Sequence, residues 1–279
     1  MAVLSKCGTS NPIRYHSKVR KDLDVGLAPE EADRGAGPRD NVQEGNPANA
    51  KEASSTESVP GSRVLWSIVF RKLRPITELS AKELLRTWWE VVLCHYELWK
   101  GGIHHRDISE SNLVYYRNAQ DVAVGVLNDF DLTSTTEGRQ GNKRTGTMPF
   151  MAIELLDQEG PEDHITHQYR HDAESFVWIL AWLTLHYANG TRLPRKHRPL
   201  KTWLSLQAVE CGDKKAMFIM RQQHKIVPLP SQTENWRVVR RGLEVVGIHY
   251  LLFRHAPVVV TMEEVFEKWL YNLVKGILS

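Results

Sequence analysis

Between a helix-stopping Gly101-Gly102 pair and an apolar run from Leu113 to Tyr116 lies the most restrictive stretch of this chain: Ile103-His104-His105-Arg106-Asp107-Ile108-Ser109-Glu110-Ser111-Asn112. It fixes a carboxylate, Asp107, and a carboxamide, Asn112, within one loop. A second apolar run, Val122 to Leu127, ends in another carboxylate within Asn128-Asp129-Phe130-Asp131. The polar residues Arg117 to Asp121 between the two runs read as a turn, so the pair reads as a β-hairpin. Val122, Val124 and Val126 alternate as the half-buried face of a strand should.

In an antiparallel pair, opposed residues sit equally far from the turn. That rule sets Asn112 opposite Asp129 at the open end, about 5 Å away. An amide oxygen and a carboxylate at that spacing suit one hard divalent cation such as Mg²⁺, which takes few protein ligands when phosphates supply the rest. Asp107, at the start of the same loop, is placed to orient a hydroxyl nucleophile. Taken singly, these three residues are ordinary turn chemistry. The hairpin that relates them points to a site.

The constellation resembles the catalytic and metal loops of protein kinases, with His105-Arg106-Asp107 and Asn112 as the first and Asp129-Phe130-Asp131 as the second. The surrounding wording resembles the fungal-type protein kinase family more closely. The stretches that carry this are His105 to Ser109, Asp129 to Leu132, Arg144-Thr145-Gly146-Thr147-Met148-Pro149-Phe150-Met151-Ala152 and Arg170-His171-Asp172-Ala173-Glu174-Ser175. The resemblance implies an α+β fold: a mostly helical kinase-like C-terminal lobe, a short β-hairpin at the catalytic site and a truncated N-terminal lobe. It implies ATP and Mg²⁺ as cofactors and a protein Ser/Thr hydroxyl as acceptor. Asp107 would take the proton, Asn112 and Asp129 would hold the metal and nucleotide, and Arg106 would sense the activation segment. Thr145 and Thr147 would lie in that segment, and His105, Glu154 and Asp172 would be structural. Two departures stand out. Ser109 occupies the position where Ser/Thr kinases carry a lysine, and Asp131 replaces the glycine after Asp129-Phe130.

The order of the chain gives the domain plan. Residues 1–62 are polar, mixed in charge and weakly periodic, and are expected to form a disordered arm. Residues 63–279 would be the kinase-like domain. Gly35-Ala36-Gly37 is followed by a proline, and Lys51 sits in a polar context. Neither matches the glycine-rich cover or the strand lysine of a nucleotide lobe, so that lobe reads as missing or vestigial. Arg63 to Phe70 reads as the first strand. Ser80 and Glu83 form a capping-box pattern ahead of a helix marked by Leu84, Trp88, Val91, Val92, His95 and Trp99, with Gly101 as its stop.

Further on, Thr133 to Thr136, Thr145 and Thr147 make a hydroxyl-rich stretch, which after the metal loop corresponds to an activation segment. It ends Ala152-Ile153-Glu154, where kinases have Ala-Pro-Glu. Asp172 reads either as the N-cap of the apolar helix Phe176 to Tyr187 or, by resemblance, as the residue that holds the catalytic loop. Helices are also expected around Leu200 to Ala208, Lys214 to Gln223, Trp236 to His255 and Met262 to Leu278. His164, His167 and His171 have metal-like spacing but no completing ligand, so a loop is the stronger reading. Asn189-Gly190-Thr191 reads as a helix-ending turn and the basic run Arg192 to Arg198 as a solvated loop.

Composition narrows the class. With 279 residues, 42% hydrophobic residues and nine tryptophans, the chain can build one sizeable core. A net charge of +3 without a clustered basic face does not call for nucleic acid. Cys7, Cys94 and Cys211 are odd in number and far apart, and no signal peptide or membrane span is visible. The expectation is an intracellular protein, cytoplasmic or nuclear, acting on a protein partner and not on a membrane, with the oligomeric state open. Two other readings compete with an active kinase. One is a pseudokinase or kinase fragment that serves as a binding module, and the other is a small-molecule kinase.

Overall fold

The computed structural model describes residues 72–135, 146–157, 166–253 and 260–278. The expected arm over 1–62, the strand Arg63 to Phe70, Thr145 and His164 lie outside the described residues.

After a two-residue strand β1 (Arg74–Pro75), the chain enters α1 (Ala81–Lys100). Apolar side chains at helical spacing make one face of α1, and Leu84, Leu85, Trp88, Val91, Val92 and Leu98 are all buried. Ser80 is the N-cap, but only half of the expected capping box forms. Its hydroxyl donates to Glu83 Oε2 at 2.9 Å and leaves the backbone N–H groups alone, while the Glu83 carboxylate accepts the Ser80 N–H. At the far end Gly101 is the C-cap, and the left-handed residue that turns the chain is Gly102, with φ 77°.

The chain then forms β2 (Ile103–His104), β3 (Leu113–Arg117), β4 (Ala123–Leu127) and β5 (Ser134–Thr135). β3 lies between β1 and β4, antiparallel to both. The expected hairpin is present with its register shifted by one. Leu113 pairs with Leu127 and Arg117 with Ala123, so Asn112 faces Asn128, whose N–H donates to the Asn112 carbonyl at 2.9 Å. The cause is the turn. Asn118 Oδ1 accepts from both Gln120 N–H and Val122 N–H at 2.9 Å, which draws Val122 out of the strand.

The core-facing side of β4 is also not the valine side. A Cβ on Gly125 would lie 2.5 Å from the Thr87 carbonyl and 2.9 Å from Val91 Cγ2, so α1 rests directly on the strand backbone. Ala123, Gly125 and Leu127 alternate on that face, and only small residues fit at its centre. Gly125→Val is therefore expected to destabilise the protein by about 1–3 kcal/mol. The measurement is urea unfolding: a lower midpoint at constant slope is expected, and an unchanged midpoint would show that β4 can lift off α1.

The short helix α2 (Ile153–Leu156) precedes α3 (Tyr169–His186), in which every residue is buried. α3 starts earlier than its apolar run suggested. Gln168 is the N-cap, and Asp172 lies inside the first turns, so the N-cap reading of Asp172 is corrected. Trp88 Nε1 donates to the Phe176 carbonyl at 3.1 Å and ties α1 to α3. At Tyr187 the chain leaves the helix for a hairpin of β6 (Tyr187–Ala188) and β7 (Thr191–Arg192). Asn189 and Gly190, at φ 47° and 76°, are the two residues of its turn. The expected helix-ending turn is thus a hairpin turn. The basic run that follows includes a short 3₁₀ stretch, Arg195–His197, with no buried residue.

Four further α-helices complete the body among the described residues. The stretch expected to be helical from Leu200 is a 3₁₀ segment, Lys201–Ser205, followed by α4 (Ala208–Met217). α5 (Thr233–Phe253) forms close to its expected bounds. The final stretch divides into α6 (Met262–Val265), a widened π turn Phe266–Tyr271 and α7 (Asn272–Val274). The result is the helical body with a short hairpin that the sequence implied. No helix among the described residues is long and apolar enough to cross a membrane.

Candidate active site

The site is anchored on Asp172, buried in α3. Its Oδ2 accepts from His95 Nε2 at 2.8 Å and from the Arg106 N–H at 3.4 Å, and its Oδ1 accepts from His167 Nε2 at 2.7 Å. Burial pushes the Asp172 carboxyl up, but attraction to His167 and hydrogen bonds from both imidazoles outweigh it and hold the group well below its usual range. The bond to Arg106 matters because Arg106 has φ 69°, a left-handed conformation unfavourable for a side chain with a Cβ. An α3 carboxylate therefore holds the loop 103–112 at its bend.

His105 fixes the next step of the loop. Its Nε2 donates to the Asn128 carbonyl at 2.9 Å, and its Nδ1 accepts the Asp107 N–H at 3.3 Å. That pair of bonds specifies the neutral ring, and burial lowers the imidazole pKa in the same sense. The ring also meets Phe130 edge-on, with centroids 4.9 Å apart, which couples the catalytic loop to the loop carrying Asp129. β2 and β5 reinforce this, pairing His104 with Ser134.

Asp107 stands where these supports converge. Asn112 Nδ2 donates to the Asp107 carbonyl at 2.9 Å, and Thr147 Oγ1 donates to Asp107 Oδ1 at 3.0 Å. Asp129 follows the Asn112–Asn128 pair by one residue, not directly opposite Asn112 as the sequence suggested. At φ 64° it bends away from the strand and is exposed. With its amide nitrogen turned to Asp107, the Asn112 oxygen accepts from Ser111 Oγ at 3.4 Å and from no other described residue. The Asp129 carboxylate accepts one long bond, 3.5 Å from the Asp131 N–H. Two lightly engaged hard oxygen donors at the mouth of one hairpin fit a Mg²⁺ ion that draws its other ligands from phosphate and water.

Glu154 is the second anchor. Its carboxylate takes a bidentate pair from Arg170, at 2.8 and 2.9 Å, and a bond from His171 Nε2 at 3.0 Å. Burial pushes Glu154 up, yet His171 and Arg170 bring it down to about 2. Burial lowers His171 to about 4 against the pull of Glu154. The isoleucine that replaces the expected proline has a reason in the structure. The Ile153 N–H donates to Glu174 Oε1 at 2.9 Å, a bond that proline cannot make.

Of the three histidines, His167 and His171 each face a carboxylate, and no group of three or more His, Cys, Asp and Glu side chains among the described residues is placed to hold a metal. Sequence reasoning missed the partners of Asp172, the Glu174 bond and a 2.6 Å bond from the Tyr187 hydroxyl to Glu110 in the catalytic loop. His95 carried a usable signal, since an imidazole on the apolar face of a helix needs a buried partner.

A family model described as fungal protein kinase matches residues 9–184. Calcium/calmodulin-dependent protein kinase type 1 of Caenorhabditis briggsae is 31% identical over 83 residues, which are 30% of this chain and 22% of that protein. The chain therefore spans about a fifth of the length of that relative. A solved kinase-domain structure is 16% identical, with 76% of this chain and 64% of that one covered at a TM-score of 0.35.

Proposed function

The chain belongs to the fungal protein kinase family, and from that premise we propose that it moves the γ-phosphoryl group of ATP to a serine or threonine hydroxyl of a protein. The observation that carries the reading is the double hold on Asp107: Asn112 on its carbonyl and Thr147 on its carboxylate. Asp107 would orient the acceptor hydroxyl and take its proton, in the role of a positioned base. Asn112 and Asp129 would hold Mg²⁺, which when bound offsets the charge of the phosphates. Thr147 would shape the place where the acceptor residue docks, and its hydroxyl on Asp107 favours a serine or threonine acceptor. His105, Asp172 and Glu154 would keep the loop and the docking segment in register, and Arg106 would read the phosphorylation state of the activation segment.

One observation favours the second reading, a binding module that lacks efficient transfer. Ser109 is buried and shares a 3.0 Å bond with Ser111 Oγ, so this position of the loop offers no cation to a phosphate. A thermal-shift experiment with ATP and MgCl₂ separates the two. A kinase site near saturation is expected to raise the melting temperature by about 5 °C, and Asp129→Asn is expected to remove most of that rise. A wild-type protein that shows no Mg²⁺-dependent shift and no transfer to protein substrates would support the binding module.

A further inference from the structure

Beneath the docking segment lies a pair of buried charges that no motif announced. Lys215 of α4 is fully buried, its Nζ 4.8 Å from the ring centroid of Trp178 and 5.9 Å from that of Trp203. Its ammonium donates to the Met151 carbonyl. Glu174 of α3 accepts from the Ile153 N–H at 2.9 Å and from Trp178 Nε1 at 2.8 Å. Two buried charges are costly, and apolar side chains of equal volume would pack more favourably. Here both charges are directed at backbone groups of one tripeptide, Met151 to Ile153, one at its carbonyl and one at its N–H. That tripeptide is one turn from the site. Phe150 N–H and Met151 N–H both donate to the Thr147 carbonyl, at 2.9 and 3.3 Å, and Thr147 Oγ1 reaches Asp107.

Resting on the kinase reading above, we infer that Glu174 and Lys215 form a charged clamp that sets segment 147–153 against Asp107, which makes them positioning residues for the acceptor peptide. The clamp is separate from the Glu154–Arg170 pair, which holds the next residue of the chain from one turn earlier on the same face of α3. Its electrostatics agree. Burial lowers Lys215 to about 8 while Glu174 draws it back up, and burial raises Glu174 while Lys215 opposes the rise. The other titratable groups facing the pair are the Cys211 thiol on α4, raised by burial, and Glu154 on α2, which acts on Glu174.

The test uses the full chain with Lys215→Met, which keeps the apolar stem between the two indoles, and Glu174→Gln, which keeps an acceptor for Ile153. Amide hydrogen exchange is expected to quicken about tenfold over residues 147–157 in Lys215→Met, with α5 unchanged and a smaller effect in Glu174→Gln. In steady-state kinetics the peptide KM is expected to rise about tenfold with the ATP KM unchanged. The wild-type peptide KM should climb as pH passes about 8 and Lys215 discharges, and that climb should vanish in Lys215→Met. The clamp is overturned if exchange over 147–157 does not change, if α5 quickens equally, or if both KM values rise together. Should the wild type transfer no phosphate, the kinase reading fails and the exchange arm alone decides the clamp.

Discussion

Asp107→Asn is expected to lower kcat for peptide phosphorylation about a thousandfold while the protein stays folded and its ATP KM hardly moves. The substitution keeps an oxygen for the Thr147 hydroxyl, now 3.0 Å from Asp107 Oδ1, and it leaves the Asp107 carbonyl that Asn112 holds at 2.9 Å. What it removes is the carboxylate that would accept the hydroxyl proton, and positioned bases contribute about 10²- to 10⁴-fold. A loss in kcat without a matching rise in KM marks an interaction made in the transition state. Thr147→Ala is expected to act differently. It frees the carboxylate to rotate and weakens the docking segment, so peptide KM should rise along with a smaller loss of kcat. Labelled-phosphate incorporation at saturating ATP gives both numbers. If Asp107→Asn lost less than about tenfold, Asp107 would not be the base.

How much of this could be read from the chain is clearest at three places. The helix Ala81–Lys100 was legible because its apolar stripe repeats at helical spacing and a glycine pair closes it. The hairpin was legible, but its register was not. Periodicity puts Arg117 in the turn and Val122 in the strand, and the structure reverses both, because the Asn118 side chain competes for backbone N–H groups that a strand would use. A shift of one residue is enough to move Asp129 from opposite Asn112 to the next position. The face of β4 failed for a related reason. Periodicity selects the large apolar residues as core, whereas α1 approaches so closely that glycine is required at the centre of the contact.

The partners of the polar anchors were hidden by distance in sequence. Asp172 meets His95 across 77 positions. Lys215, within the polar run Asp213-Lys214-Lys215, has the look of a solvated helix face. The loop 103–112, by contrast, holds itself together locally, because its residues act on one another within a few positions, as Asn112 does on Asp107.

Removing the Asp172 carboxylate tests that hidden half of the site, and Asp172→Ala is expected to cost about 3–5 kcal/mol, a large part of the roughly 5–15 kcal/mol that holds a domain folded. The variant strips acceptors from His95 Nε2, His167 Nε2 and the Arg106 N–H in one step. His95 has no relief through its other nitrogen, since Nδ1 is buried without a hydrogen-bond partner among the described residues. Asp172→Asn should cost less, because its amide oxygen can still accept one of the three bonds.

The pH dependence separates this carboxylate from two other buried titratable groups of α3, His171 and His186. In the unfolded chain His171 and His186 take up a proton near 6.5, but burial holds them to about 4 and about 3 in the folded protein. Each therefore favours the unfolded state by about 1.4 kcal/mol per pH unit below 6.5. Asp172 acts on the other side of the ordinary carboxyl value of 3.8. Its folded pKa is lower, so its contribution is present above that value and is lost as pH falls through the folded pKa. Wild type and Asp172→Ala should thus lose stability in parallel from pH 6.5 to about 4, and the gap between them should narrow only below that. Urea midpoints taken across this range decide the matter: a gap that closes already between pH 6.5 and 5 would mean that the charge of Asp172 is not what holds the loop at Arg106.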